Sequence, residues 1–124
     1  MGLSFSRVAC LFTFTAALLA SPAVFAHAHL QTQIPAANAA VGQAPDALSL
    51  TFSEGIEPAF SGVTVTGPDG KAVKTGAVSR APDNDKQLTV PLADALKAGD
   101  YQVQWHVVSV DGHKTKGQYR FTVK

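Results

Sequence analysis

Between Tyr101 and Val107 the side chains alternate without a break, with Tyr101, Val103, Trp105 and Val107 apolar and Gln102, Gln104 and His106 polar. Strand side chains point to opposite faces in turn, so this segment predicts a half-buried β-strand. From Gln118 to Lys124 the alternation recurs, with Tyr119, Phe121 and Val123 inward and Gln118, Arg120 and Thr122 outward. Further short runs rich in Val, Thr, Leu and aromatics predict strands near Leu30–Ile34, Ala47–Phe52, Gly62–Thr66, Ala77–Arg80, Gln87–Val90, Asp100–Val110 and Gln118–Val123. Turn residues separate them, as in an all-β sandwich or barrel of about seven strands. Gly67-Pro68-Asp69-Gly70 is a turn in which proline presets φ and glycine admits positive φ. Ala81 to Asp85 reads as a polar loop, and Pro91 to Leu96 as at most one helical turn closed by Gly99. Burying Trp105 between the sheets contributes roughly 3 kcal/mol or more.

The two long strands constrain the segment between them. Asp111-Gly112 is a strong dipeptide for a two-residue type I′ turn. Such a turn pairs Val110 with His113 and, by the same register, Trp105 with Gln118. Opposed residues share a face, so that register sets an inward Trp against an outward Gln. Keeping both apolar faces inward requires an odd number of loop residues or a bulge. Asp111-Gly112-His113 is then part of a larger, shaped loop.

The chain is 124 residues long, 46% hydrophobic and 15% charged. That composition fits one folded domain and excludes a disordered chain. The near-neutral charge of +1 excludes a nucleic-acid binder reliant on a basic patch. Residues 1–26 have the organisation of a secretory signal: Arg7, an apolar run from Val8 to Ala20, and small residues at Val24 and Ala26 around Phe25. The run is shorter than the roughly 20 apolar residues that span a bilayer. Cleavage after Ala26 leaves residues 27–124 as one exported domain. Arg7, Cys10 and Met1 depart with the signal, leaving nine Lys/Arg against nine Asp/Glu and neither Cys nor Met. A metal bound by that domain must accept nitrogen and oxygen ligands.

Cleavage also changes the chemistry of the four remaining histidines, His27, His29, His106 and His113. As the new first residue, His27 offers an α-amine and an imidazole Nδ1 that close one chelate ring. The amine pKa of about 8 leaves little proton competition at neutral pH. In an extended segment residues two apart project to one side, so Asp111 and His113 can reach one ion together, with Gly112 letting the backbone bend. Two imidazoles, an amine and a carboxylate favour Cu(II), and the lack of sulfur disfavours Cu(I). The same Asp-Gly-His stretch is also what an ordinary surface loop looks like. His29 offers a rival site, since a chain beginning His-Ala-His can wrap Cu(II) through its own amides. If His29 instead begins a strand, it is a neighbour only. His106 reads as a solvated residue on a polar strand face. Glu54, at the end of a strand in Phe52-Ser53-Glu54, is a further acidic group whose position the pattern leaves open. No Gly-rich phosphate loop or nucleophile elbow is present.

These residues carry a family resemblance. The start His27-Ala28-His29-Leu30, the segment Leu50-Thr51-Phe52-Ser53-Glu54, the run Leu96 to Tyr101 and the stretch Trp105 to His113 together resemble the CopC family of periplasmic copper-resistance proteins. The resemblance spans the mature chain. It implies an immunoglobulin-like Greek-key β-sandwich that binds copper without enzymatic activity. The implied Cu(II) ligands are His27, Asp111 and His113, with Glu54 as a secondary group. One ion per chain is expected, and His29, from its place in His-Ala-His, is a secondary or neighbouring group. The resemblance also implies a monomer in the periplasm and an inner-membrane copper transport partner of CopD type. Better-known members carry a Met-rich mid-chain loop for Cu(I). Here the segment between Gly62 and Gln87 holds neither Met nor His, which predicts a Cu(II)-only variant. Two other functional classes compete. One is a copper oxygenase resembling lytic polysaccharide monooxygenases, which also use an N-terminal histidine. The other is a metal-free adhesive sandwich.

Overall fold

A computed structural model describes residues 28–124. The expected signal at residues 1–26, and His27, lie outside the described residues. The strands in chain order are β1 (Leu30–Ile34), β2 (Ala40–Val41), β3 (Ala47–Phe52), β4 (Gly62–Thr66), β5 (Ala72–Val73), β6 (Ser79–Ala81), β7 (Asn84–Pro91), β8 (Gly99–Val108) and β9 (Lys114–Val123). They form a four-stranded sheet, β1-β3-β7-β6, and a five-stranded sheet, β2-β9-β8-β4-β5. The chain passes repeatedly from one sheet to the other, giving the expected β-sandwich. Seven strands run to three residues or more. β2 and β5 are two-residue edge strands, too short to leave a periodic pattern in the sequence.

The core forms where the alternating faces meet. β3 contributes Leu48, Leu50 and Phe52, β7 contributes Leu88 and Val90, and β8 contributes Tyr101, Val103, Trp105 and Val107. Tyr119, Phe121 and Val123 of β9 complete the layer. Phe52 meets Trp105 edge-on at 5.1 Å between centroids, which ties the two sheets together, while Tyr101 stacks on Phe121 at 5.4 Å within one sheet. Offset and edge-on geometries are the favoured ones for aromatic pairs. Antiparallel pairing of β8 with β9 sets Tyr101 opposite Phe121, Val103 opposite Tyr119 and Trp105 opposite Gly117. Five residues, Ser109 to His113, separate the two strands. The loop is odd, as the two apolar faces require, and no two-residue turn forms at Asp111-Gly112.

Several expected boundaries move. Ala81 pairs with Asn84 across Pro82-Asp83, so the expected five-residue loop is a two-residue connection and β7 begins early. β6 is consequently Ser79–Ala81 rather than Ala77–Arg80. β8 stops at Val108 and β9 starts at Lys114, outside the limits of the clean alternation. Pro91 to Leu96 is not helical. Leu92 N–H donates to the Asp46 carbonyl at 2.9 Å and Ala93 N–H to the Lys74 carbonyl at 3.1 Å, so neighbouring segments take the donors a helical turn would use. A short 3₁₀ turn at Pro58–Phe60, which the pattern did not suggest, precedes β4.

Phe52 is fully buried at the contact between sheets, so its truncation leaves a cavity that the two layers cannot close together. Phe52→Ala is expected to lower stability by about 3–5 kcal/mol in urea unfolding. A loss below about 1 kcal/mol would show that the Phe52–Trp105 contact does not hold the layers together.

Candidate metal centre

Continuing the β8 alternation past Val107 puts Ser109 on the core side, and it is buried, with 1% of its surface exposed. A buried hydroxyl must find hydrogen-bond partners or incur the cost of desolvation. Ser109 finds them all within its own loop. Its Oγ donates to Asp111 Oδ1 in a short contact and accepts the His113 N–H at 3.2 Å. The Ser109 backbone N–H donates to the His113 carbonyl at 2.9 Å, and Gly112 N–H donates to the Ser109 carbonyl at 2.8 Å. Gly112 has φ of +88°, a left-handed conformation that suits glycine and closes the turn. Outside the loop, Val110 N–H donates to the Gly55 carbonyl at 2.9 Å.

This scaffold brings Asp111 and His113 together. Asp111 Oδ2 lies 3.0 Å from His113 Nδ1, and the two side chains remain 37% and 46% exposed, so solvent ions reach both. The Ser109 hydroxyl bond, more than any other contact, holds the Asp111 carboxyl below its ordinary pKa, and bonds to His113 add to the shift. A carboxylate kept ionised in this way meets little proton competition as a ligand. Carboxylate oxygen beside imidazole nitrogen is a donor pair suited to a borderline divalent ion.

The start of the described chain runs beside this loop. Ala28 is buried, and its carbonyl accepts a hydrogen bond from Thr115 Oγ1 at 2.9 Å. Thr115 is the second residue after His113. His29 N–H donates to Ser53 Oγ and Ser53 N–H to the His29 carbonyl, each at 2.9 Å. Ser53-Glu54-Gly55 is therefore a strut, tied at Ser53 to the N-terminal segment and at Gly55 to the Asp-Gly-His loop. Half-buried Glu54 sits at its middle. Among the described residues no group of three or more His, Cys, Asp or Glu gathers around a common point, so Glu54 and His29 do not join Asp111 and His113 in a preformed cluster. His106, exposed opposite Lys116 on β8, also lies apart.

Two supporting residues escaped the sequence reading, Ser109 and Thr115. Both lie on the inward parity of their strands, at 101, 103, 105, 107, 109 and at 115, 117, 119, 121, 123. A polar residue in an apolar series was the available clue.

Residues 30–124 match the family model described as a CopC domain. The chain belongs to the CopC family. Among relatives, it is 59% identical over 106 residues to protein YobA of Escherichia coli, with 86% of each chain covered. It is 35% identical over 126 residues to copper resistance protein C of Xanthomonas campestris pv. juglandis, with 98% of each covered. The crystal structure of CopC from Methylosinus trichosporium superposes with a TM-score of 0.73 at 35% identity, covering 79% of this chain and 94% of that one. The CopC sandwich thus accounts for both sheets.

Ser109→Ala removes the loop's central hydroxyl and is expected to cost about 1–3 kcal/mol at neutral pH. A carbon-13 NMR titration should show the Asp111 pKa rising toward the ordinary value. Because the folded-state pKa is lowered, the Asp111 share of the stability holds above the unfolded-state pKa and fades as pH falls through the folded one. An Asp111 titration unchanged in the variant would contradict the assignment of Ser109 as its anchor.

Proposed function

We propose that this CopC-family chain is a periplasmic Cu(II)-binding protein of copper homeostasis or resistance, holding one ion per chain through His27, Asp111 and His113. The observation that carries the reading is the Asp111–His113 pair, 3.0 Å apart on a loop beside which Ala28 is pinned. His27 is the residue bonded to Ala28 in the chain. Cleavage after Ala26 would make residues 27–124 the working domain and give His27 a free α-amine. Amine and imidazole from the N-terminus would then join carboxylate and imidazole from the loop between β8 and β9. Glu54 and His29 have supporting parts, Glu54 as a second charge near the ion and His29 as a backbone anchor.

The names of the relatives favour copper, and the donor chemistry favours the cupric state. With no Met in residues 27–124 and no His between Gly62 and Gln87, the chain lacks the soft ligands of a Cu(I) site. A single-state protein sequesters Cu(II) or presents it to an inner-membrane transport partner of CopD type, and it works as a monomer. The reading is of a carrier rather than a catalyst. Asp111 as a ligand fills a position that a copper oxygenase leaves to oxygen.

The test is one added residue. Cu(II) titrated into the chain beginning at His27 should bind tightly and one to one, with the electron paramagnetic resonance of a nitrogen-rich tetragonal site. A glycine placed before His27 keeps every side chain but displaces the chelating amine. It should weaken binding by more than the roughly 10–100-fold that loss of a supporting partner costs. Equal affinity for the two forms, or tight binding retained by Asp111→Asn with His113→Ala, would overturn the assignment.

A further inference from the structure

The metal loop has an unusual neighbour on the outer face of the five-stranded sheet. Phe60 keeps 68% of its surface in solvent, although the turn that carries it is firmly held. Glu57 N–H donates to the Val108 carbonyl at 2.8 Å, Val108 N–H donates to Ser61 Oγ at 3.1 Å, and Ser61 Oγ donates to the Glu57 carbonyl at 2.8 Å. The aromatic ring is thus presented by a braced turn at the end of β8. Beside it is an open hollow of about 430 Å³ lined by Phe60, His106, Val107, Val108, Lys114, Thr115 and Lys116. The strand pairing explains its shape. Gly62, His106 and Lys116 form one row across β4, β8 and β9, and Val108 with Lys114 starts the next. The His106 imidazole lies over Gly62 so closely that any Cβ there would collide with the ring. Glycine lets the imidazole lie down on the sheet.

We infer that this hollow is a docking site for an exposed segment of another protein that carries one aliphatic or aromatic side chain flanked by carboxylates. Charge complementarity selects that occupant. Two lysines line the hollow, and among the described residues no carboxylate does. A positive wall beside an apolar floor attracts a negative rim around an apolar anchor. A second copy fits poorly, because a two-fold contact through this face would set Lys114 and Lys116 against their own equivalents. An anionic lipid surface carries the same charge as such a segment, but a planar surface leaves the hollow beside Phe60 unfilled, and the vesicle arm of the test separates the two. The position gives the site its meaning. Lys114 directly follows His113, so a partner seated here would lie against the strand that leaves the metal loop. The inference needs no bound metal.

The test uses the metal-free chain from His27, nitrogen-15 labelled, titrated with a blocked hexapeptide of sequence Asp-Glu-Leu-Phe-Asp-Glu. The acidic peptide should produce saturating shifts at the amides of Phe60, His106, Lys114 and Lys116. A Lys-Lys-Leu-Phe-Lys-Lys control should bind at least about tenfold more weakly, a loss of about 1.4 kcal/mol. Phe60→Ala and Lys116→Glu, both on exposed side chains, should each weaken peptide binding to a similar degree while leaving Cu(II) affinity unchanged. Peptide binding and copper binding therefore fail separately. Absent or unsaturable shifts, equal shifts with the basic peptide, or shifts mapping to another face would overturn the proposal. So would perturbation of these amides by phosphatidylglycerol vesicles or by protein concentration, with none from the peptide.

Discussion

One buried hydroxyl organises the loop that carries Asp111 and His113 at one end of this sandwich. Ser109 occupies the next inward position after Val107, where the core would ordinarily take an apolar side chain. Its hydroxyl must be satisfied there, and the partners within reach are Asp111 and His113. Satisfying Ser109 thus bends the chain, orients the carboxylate and keeps it ionised. Core packing and site geometry are the same constraint seen from two sides. Loosening the loop would leave a polar group unpaired inside the protein, which is costly.

Much of this was legible in the chain. The alternation in Tyr101–Val107 and Gln118–Lys124 fixed which faces turn inward, and the mismatch of Trp105 with Gln118 ruled out the tight turn that Asp-Gly otherwise suggests. Those facts require an odd-numbered loop or a bulge, and the fold supplies a loop of five residues. Other features were not legible, for identifiable reasons. Strands of two residues, such as Ala40–Val41, are too short to show a period. In Pro91 to Leu96 the Leu92 and Ala93 donors are taken by Asp46 and Lys74, which are distant in sequence. Glu54 gained a location only when Ser53 and Gly55 proved to be tied to two different segments. Local pattern reports which way a side chain faces, whereas tertiary hydrogen bonds decide what it meets.

The same reasoning separates the site from its surroundings. Of the acidic and imidazole groups singled out from the sequence, the folded chain joins Asp111 to His113 and leaves His106 on the outer face of β8, against Gly62. Of the segments that carried the CopC resemblance, Leu50–Glu54 runs into the strut and Trp105–His113 ends in the Asp-Gly-His loop, whereas Leu96–Tyr101 lies at the opposite end of β8. The proposed centre depends on the N-terminal segment meeting the loop between β8 and β9, and the Thr115–Ala28 hydrogen bond brings the described N-terminal residue to the strand that follows His113. A sandwich with its first segment alongside its last hairpin is well suited to a ligand made by proteolysis.

The most direct measurement is a crystal structure of the Cu(II)-loaded chain beginning at His27. The account predicts anomalous copper density bonded to the α-amine and imidazole of His27, with Asp111 and His113 completing the set. Copper bound at His29 or His106, with Asp111 still hydrogen-bonded to His113 and the N-terminal amine turned to solvent, would contradict it.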